Sequence, residues 1–425
     1  MHNLEQLRRG ELRGITRLSL SADLSEFPRE IFDLADSLEV LDLSGNRLTS
    51  LPHDLPRLHK LKVLFCSNNP FTTLPEVLGD CPQLEMVGFK ANHLEQVPAA
   101  ALPPALRWLI LTDNRIASLP ASLGQRPRLQ KLMLAGNRLT ALPESMAELG
   151  NLELLRIAAN RIESLPDWLL QLPRLAWLAF AGNPGSDHAE AAALRTHPQA
   201  PIARDELILG ELLGQGASGL IHRAQWNTRE VAVKLFKGQM TSDGLPHSEM
   251  AACLAAGRHP QLLPVIAPLQ TATGQPDGLL LELLDPRFHV LAGPPSLNSC
   301  TRDCYAPQQR FSAEQVLALA QGVASALAHL HAQGILHGDI YAHNLLVDGH
   351  DCRLSDFGAA SFFLPGSGQG ASLQRLESRA FGILLAELLQ RCDTPPARLS
   401  TLAEACQQVD VEQRPNFTEL AEALA

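Results

Sequence analysis

The sequence predicts a multidomain chain, an α/β solenoid of short repeats in its first half and a separate α+β domain after it. A polar residue recurs at a step of 23, once 22, at Asp23, Asn46, Asn69, Asn92, Asn114, Asn137, Asn160 and Asn183. From about Leu207 that period is gone, and a glycine-rich loop is followed by an apolar strand. A length of 425 residues with 45% hydrophobic side chains is enough for two sizeable cores.

Each recurring Asn ends a Leu-x-x-Leu-x-Leu-x-x-Asn frame, as in Leu38, Leu41, Leu43 and Asn46. Eight such units read as a leucine-rich repeat solenoid, in which the leucines fill the core and the Asn satisfies backbone groups where the chain leaves the strand. Most units close on Leu-Pro, at Leu51-Pro52, Leu74-Pro75, Leu119-Pro120, Leu142-Pro143 and Leu165-Pro166. Proline suits the outer arc because it fixes φ and needs no ladder partner. Residues 1–14, with Leu4, Leu7 and Leu12, read as an N-terminal cap.

Strand alternation assigns Val40, Val63, Phe65, Met86, Trp108, Ile110, Met133, Leu154 and Trp177 to the concave side. A solvent-facing strip this apolar predicts a docking surface for a protein substrate or regulator. The competing expectation is that some of these residues shield neighbours or contact the second domain. The repeats are expected over 1–186, a linker over 187–204 and the second domain over 205–425. Pro184 to Asp187 is expected to break the last repeat, with a short helix from His188 to Arg195 and extended chain over Thr196–Pro201.

The second domain opens with Gly214-Gln215-Gly216-Ala217-Ser218-Gly219, followed by Leu220-Ile221, a pattern that lets backbone approach phosphates where a Cβ would collide. Alone it is a weak signal. Val231-Ala232-Val233-Lys234 follows, an apolar strand ending in one ammonium, and Glu249 opens the next apolar helical stretch, with Asp243 as its only rival acid before His259-Pro260. His337-Gly338-Asp339-Ile340-Tyr341-Ala342-His343-Asn344 sets a carboxylate five residues before an amide. Ser355-Asp356-Phe357-Gly358 comes after an apolar strand, and Arg414-Pro415-Asn416-Phe417 lies near the end.

On these motifs, residues from Leu207 onward resemble the eukaryotic-like protein kinase family, and the whole chain resembles a leucine-rich repeat protein kinase. The resemblance implies a two-lobed α+β kinase-like domain with ATP and magnesium in its cleft. It implies Lys234 on the phosphates with Glu249 as partner, Asp339 as base, and Asn344 and Asp356 on magnesium. The ATP site would also take in Gly214, Gln215, Gly216, Ala217, Ser218, Gly219, Ile221, Ala232, Leu281 and Glu282.

The departures are informative too. Gly338 stands where many kinases carry an arginine that pairs with an activation-loop phosphate, so that switch is expected to be dispensable. Tyr341 and His343 leave the acceptor type open, although Ser/Thr hydroxyls are favoured. No Ala-Pro-Glu lies between Asp356 and Phe381, so the segment that grips a peptide is short, and Glu377 takes the place of an aspartate that anchors the catalytic loop. Ser361, Ser367 and Ser372 in the shortened segment are expected self-phosphorylation sites. A pseudokinase scaffold and a small-molecule phosphotransferase remain the alternatives.

The eight cysteines show no C-x-x-C; Cys66, in a leucine position, and Cys352, before the Asp-Phe-Gly strand, read as packed thiols, and Cys300 and Cys304 form a pair open to a disulfide or metal. His329, His331, His337 and His343 raise zinc as a minor reading. A net charge of -10 argues against nonspecific nucleic-acid binding. No charge-flanked apolar N-terminus or run of about twenty apolar residues suggests a signal peptide or membrane span, so a cytoplasmic protein is expected. The Ala-, Leu- and Arg-rich wording fits a GC-rich bacterial genome.

Overall fold

The computed structural model describes residues 2–196, 200–216, 218–237, 240–270 and 276–425. The chain divides into two compact units, Met1–Leu172 and Pro173–Ala425.

The first unit opens on α1 (Leu4–Arg8), which Asn3 and Gln6 close with a capping box. Seven three-residue strands follow: β1 (Arg17–Ser19), β2 (Val40–Asp42), β3 (Val63–Phe65), β4 (Met86–Gly88), β5 (Trp108–Ile110), β6 (Lys131–Met133) and β7 (Leu154–Arg156). Each pairs in parallel with the next, in a register that advances one repeat per strand: Leu18 meets Leu41, then Leu64, Val87, Leu109, Leu132 and Leu155. Those residues are all but fully buried. Opposite the strands the chain turns through short 3-10 segments that start on Pro28, Pro75, Pro98, Pro120 and Pro143, and through α2 (Asp167–Leu170) after Pro166.

The asparagines form a ladder. Asn137 accepts from Ile116 N at 3.0 Å and donates to Leu111 O and Leu134 O, each at 2.9 Å. Asn46, Asn69, Asn114 and Asn160 make the same kinds of bond one repeat apart. Asp23 stands outside the ladder. It has no preceding repeat to satisfy, and it lies exposed at φ 55° with Arg47 at 2.5 Å.

The apolar strip differs from expectation. Met86, Met133, Leu154 and Trp177 are buried, and only Val40, Phe65, Trp108 and Ile110 of the larger side chains keep partial exposure. Neighbours on the ladder cover one another: Phe65 lies over Gly88, where a Cβ would come within 2.5 Å of its ring, and Lys131 Nζ caps the Trp108 ring at 4.2 Å. The exposed apolar strip is smaller than alternation alone implied.

The second unit begins with the strand of the eighth repeat, β8 (Trp177–Ala179), and α3 (Pro184–Thr196). The helix starts four residues before the expected one and runs through the first part of the expected linker. Pro184 does not break it, because a first-turn residue has no intrahelical acceptor for the N–H that proline lacks. Asn183 and Ser186 close its start, and Glu190 accepts from Ser248 at 3.3 Å.

A six-stranded sheet follows in the order β10 (Leu207–Gln215), β11 (Gly219–Trp226), β12 (Arg229–Phe236), β14 (Pro276–Glu282), β13 (Val265–Gln270), β9 (Ile202–Ala203), with α4 (Pro246–Ala255) between β12 and β13. The remainder holds β15 (His289–Val290), α5 (Ala313–Ala332), β16 (Ile335–Leu336), β17 (Leu345–Asp348), β18 (Asp351–Leu354), β19 (Ser361–Phe362), α6 (Gly368–Leu389), α7 (Ala397–Cys406) and α8 (Phe417–Leu424). Ser312, Ser367 and Asn416 cap α5, α6 and α8 through their side chains. The helices bury Leu327, Leu330, Leu385 and Leu420, and Phe417 meets Phe381 edge-on at 5.7 Å.

Candidate active site

The site is assembled on one face of the sheet. Ile221 is opposite Lys234, Ala232 opposite Leu281, and Lys234 opposite Leu279. Alternation puts these side chains on a common face, while Val231, Val233, Ala224 and Leu280 pack a core on the other. Ala232 and Leu281 are buried side by side. Glu282 behaves differently: its carboxylate pairs with Arg229 at 3.1 Å and its N–H bonds Pro264 O.

Lys234 Nζ forms an ion pair with Glu249, presented from the first turn of α4, and stands 3.9 Å from Asp356 Oδ1. Burial alone would lower the lysine pKa. The charges of Asp356 and Glu249 outweigh it and raise the pKa, so the ammonium stays charged. The rival Asp243 instead accepts from Ser242 at 2.8 Å.

Below the sheet, β16 delivers the chain into the loop of Asp339. Asn344 donates to Asp339 O at 2.9 Å and to Asp339 Oδ2 at 2.8 Å, while its Oδ1 accepts no bond from the described residues. Glu377, buried on α6, accepts from Gly338 N at 2.7 Å, His337 N at 3.3 Å and His331 Nε2 at 2.7 Å. It holds the loop from beneath, as its position in the sequence implied. Burial keeps the His337 imidazole below its ordinary range despite the nearby charges of Glu377 and Asp339. The neutral ring takes Asp339 N–H on Nδ1 at 3.3 Å and gives Nε2–H to Ser355 O at 3.1 Å.

Asp356 follows in the left-handed region at φ 57°, a conformation aspartate tolerates better than most residues. Its Oδ1 accepts from Gly358 N at 3.2 Å, and Phe357 is buried against the His337 ring, 5.0 Å away. Asn344 Oδ1 and the Asp356 carboxylate are hard oxygen donors, and two of them fit an ion such as magnesium that keeps waters and substrate phosphate in its shell.

Gly214 and Gly216 border open space where a Cβ would meet nothing within 4 Å, whereas one on Gly219 would strike Leu235 O at 2.5 Å. Gly216 N closes the turn on Gly219 O at 2.9 Å, Ser218 is buried and Gln215 is exposed. Ala217 lies outside the described residues. The open cradle fits a phosphate chain.

Sequence reasoning missed Asp303. Its carboxylate accepts from His343 N at 3.0 Å and from His343 Nδ1 at 2.7 Å. Burial opposes charge on that imidazole, but the bond to Asp303 and the charges of Asp303, Asp339 and Asp356 raise its pKa. The loop drew notice only for Cys300 and Cys304, which are free thiols, one buried and one exposed. Asp303 also borders a polar cavity of about 270 Å³ with Tyr305 and Glu387. There burial and the Asp303 charge push Glu387 up to about 7.

The histidines have separate partners: Ala256 O for His329, Glu377 for His331, Ser355 O for His337 and Asp303 for His343. Ser361 departs from expectation. It is fully buried, its Oγ accepting two backbone N–H groups, and so is closed to self-phosphorylation.

Residues 207–369 match the protein tyrosine and serine/threonine kinase family, and residues 36–79, 104–162 and 127–184 match leucine-rich repeat families. A CBL-interacting protein kinase 22 of Oryza sativa subsp. japonica is 30% identical over 190 residues, 42% of this chain and 42% of the relative. The probable serine/threonine-protein kinase gdt4 of Dictyostelium discoideum is 28% identical over 171 residues, 39% of this chain and 10% of the relative. A leucine-rich repeat and calponin homology domain-containing protein 1 of Mus musculus is 35% identical over 112 residues, 25% of this chain and 16% of the relative. The chain thus spans less than half the length of each of these relatives.

Proposed function

We propose that this chain, which joins leucine-rich repeats to a protein kinase domain, uses ATP and magnesium to phosphorylate protein hydroxyls, Ser/Thr before Tyr and its own among them. The observation that carries the reading is the joint arrangement of Lys234 with Glu249 and Asp356, and of Asp339 with Asn344. The Ser/Thr preference draws on the names of the kinase relatives.

In this reading Lys234 binds the phosphates, held in place by Glu249, and Gly214 to Gly219 supply backbone N–H groups over them. Asp339 orients the acceptor hydroxyl and takes its proton, while Asn344 keeps that carboxylate in place. Asn344 Oδ1 and Asp356 would hold magnesium, which when bound neutralises charge on the transferred phosphoryl group. Ile221, Ala232 and Leu281 would line the adenine side, with the Glu282 carbonyl at its edge.

The partly exposed Phe65, Trp108 and Ile110 remain our candidates for docking a protein substrate or regulator. Ser367 and Ser372 remain the candidate self-phosphorylation sites. Eight free cysteines suit the reducing cytoplasm, and among the described residues no helix is long and apolar enough to cross a membrane.

A small-molecule acceptor is the second reading, favoured by the short run from Phe357 to Ser367 before α6 begins. The deciding experiment supplies labelled ATP, magnesium and a generic protein acceptor to the wild type and to Asp339→Asn. Label on protein that falls about 100-fold or more in the variant is the expected result. ATP binding without label on protein would move the assignment to a scaffold or to a metabolite acceptor.

A further inference from the structure

The eighth repeat grips the catalytic loop. Trp177, 1% exposed, donates from Nε1 to Ile340 O at 2.9 Å, and its ring stacks on Tyr341 with centroids 4.4 Å apart and planes 7° from parallel. Ile340 directly follows Asp339, so the bond fixes the backbone next to the proposed base. The Arg302 guanidinium lies 5.6 Å from the centre of the same indole.

The next residue of the strand accounts for the odd glycine of the loop. A Cβ on Gly338 would lie 2.6 Å from Leu178 O and 2.7 Å from Ala359 O, and the glycine sits at φ 73°. Backbone of the repeat fills the space that a side chain at 338 would need. Two residues further, Phe180 N and Ala181 N both donate to Ser361 Oγ, at 2.8 and 3.1 Å. Ser361 pairs with Leu336 on the strand that leads into the loop. Lower down, Arg414 donates to Pro173 O at 2.8 Å and Arg379 to Arg174 O at 3.2 Å, so the repeat is anchored to the helices as well.

Many kinases order this region through a phosphate on the activation loop that pairs with arginine. Here the position of that arginine is glycine, and a permanent part of the chain occupies the space. We propose that the eighth repeat replaces the phosphate-dependent contact, with Trp177 as a positioning residue for Asp339, so that transfer proceeds with no phosphate after Asp356. This rests on the kinase reading above.

The test uses the full chain as wild type, phosphatase-treated wild type, Trp177→Phe and Trp177→Ala. Phosphatase treatment should leave the initial rate within about two-fold. Loss of the indole should lower kcat by about 30- to 100-fold in Trp177→Ala, with KM for ATP moving by less than about three-fold, the pattern of a misplaced group rather than a lost binding contact. Trp177→Phe keeps the stacking and loses the N–H bond, and should fall roughly five- to ten-fold. Amide exchange of residues 337–344 should quicken in the Phe variant.

An unchanged kcat in Trp177→Ala, a rate abolished by phosphatase, or unaltered exchange in Trp177→Phe would overturn the proposal. Should the Ala variant fail to fold, the Phe variant decides. A wild type that transfers no phosphate would remove the kinase reading, and the exchange measurement would still decide whether Trp177 holds the loop.

Discussion

Two buried asparagines, Asn137 in the repeats and Asn344 in the kinase domain, are 7% and 4% exposed and yet do opposite things. Asn137 spends both ends of its amide on backbone, closing a network that recurs from repeat to repeat. Asn344 spends only its N–H₂ end, on Asp339, and its oxygen accepts nothing from the described residues. Burial and residue type do not distinguish these two amides. A spare acceptor does.

The sharpest way to break this contrast is Asn344→Ala. Phosphate transfer should drop by about 100-fold or more, the several kcal/mol that a held metal ion contributes to such a transition state. Denaturant unfolding should move by only roughly 1 kcal/mol for the lost hydrogen bonds. Equal losses of stability and activity would mean that Asn344 is as structural as Asn137. Asn137→Ala is the mirror experiment. It strands Ile116 N–H and two carbonyls in the core, and should cost on the order of 3 kcal/mol of stability while leaving the rate per folded molecule unchanged.

Glu387 is an intermediate case, partly closed by Tyr305 at 3.1 Å. Its pKa, raised to about 7 by burial, lies above the ordinary carboxylate value near 4.3, so between those values the folded state holds a proton that the unfolded state has released. Its contribution is complete below about pH 4 and lost as pH rises through 7. Wild type should therefore lose stability relative to Glu387→Gln between pH 5 and pH 8, by on the order of 2 kcal/mol, as read from paired unfolding curves. Parallel curves for the two proteins would refute the shift.

Much of the molecule was legible before any coordinates. The asparagine period needs only local sequence, because each repeat solves the same backbone problem in the same way. Lys234, Glu249, Asp339, Asn344 and Asp356 were picked out by their resemblance to kinase motifs, and the structure brings Lys234 to Glu249 and Asp356, and Asn344 to Asp339. What stayed hidden depends on contacts between distant parts of the chain. Alternation puts Trp177 on the concave face but cannot say that Tyr341, 164 positions later, covers it. Ser361 reads as a loop hydroxyl until Phe180 and Ala181 are seen to point their N–H groups at it. Asp303 has no motif at all. The helix expected from His188 starts at Pro184, because a first helical turn admits proline.

The closeness of Leu178 O to the Cα of Gly338 also bears on which parts of the chain act as one piece. A side chain at 338 and the repeat strand at 178 compete for one space. The loop of Asp339 and the last repeat thus form one structural unit, closed by the Trp177 bond to Ile340 O and by Leu178 O against Gly338.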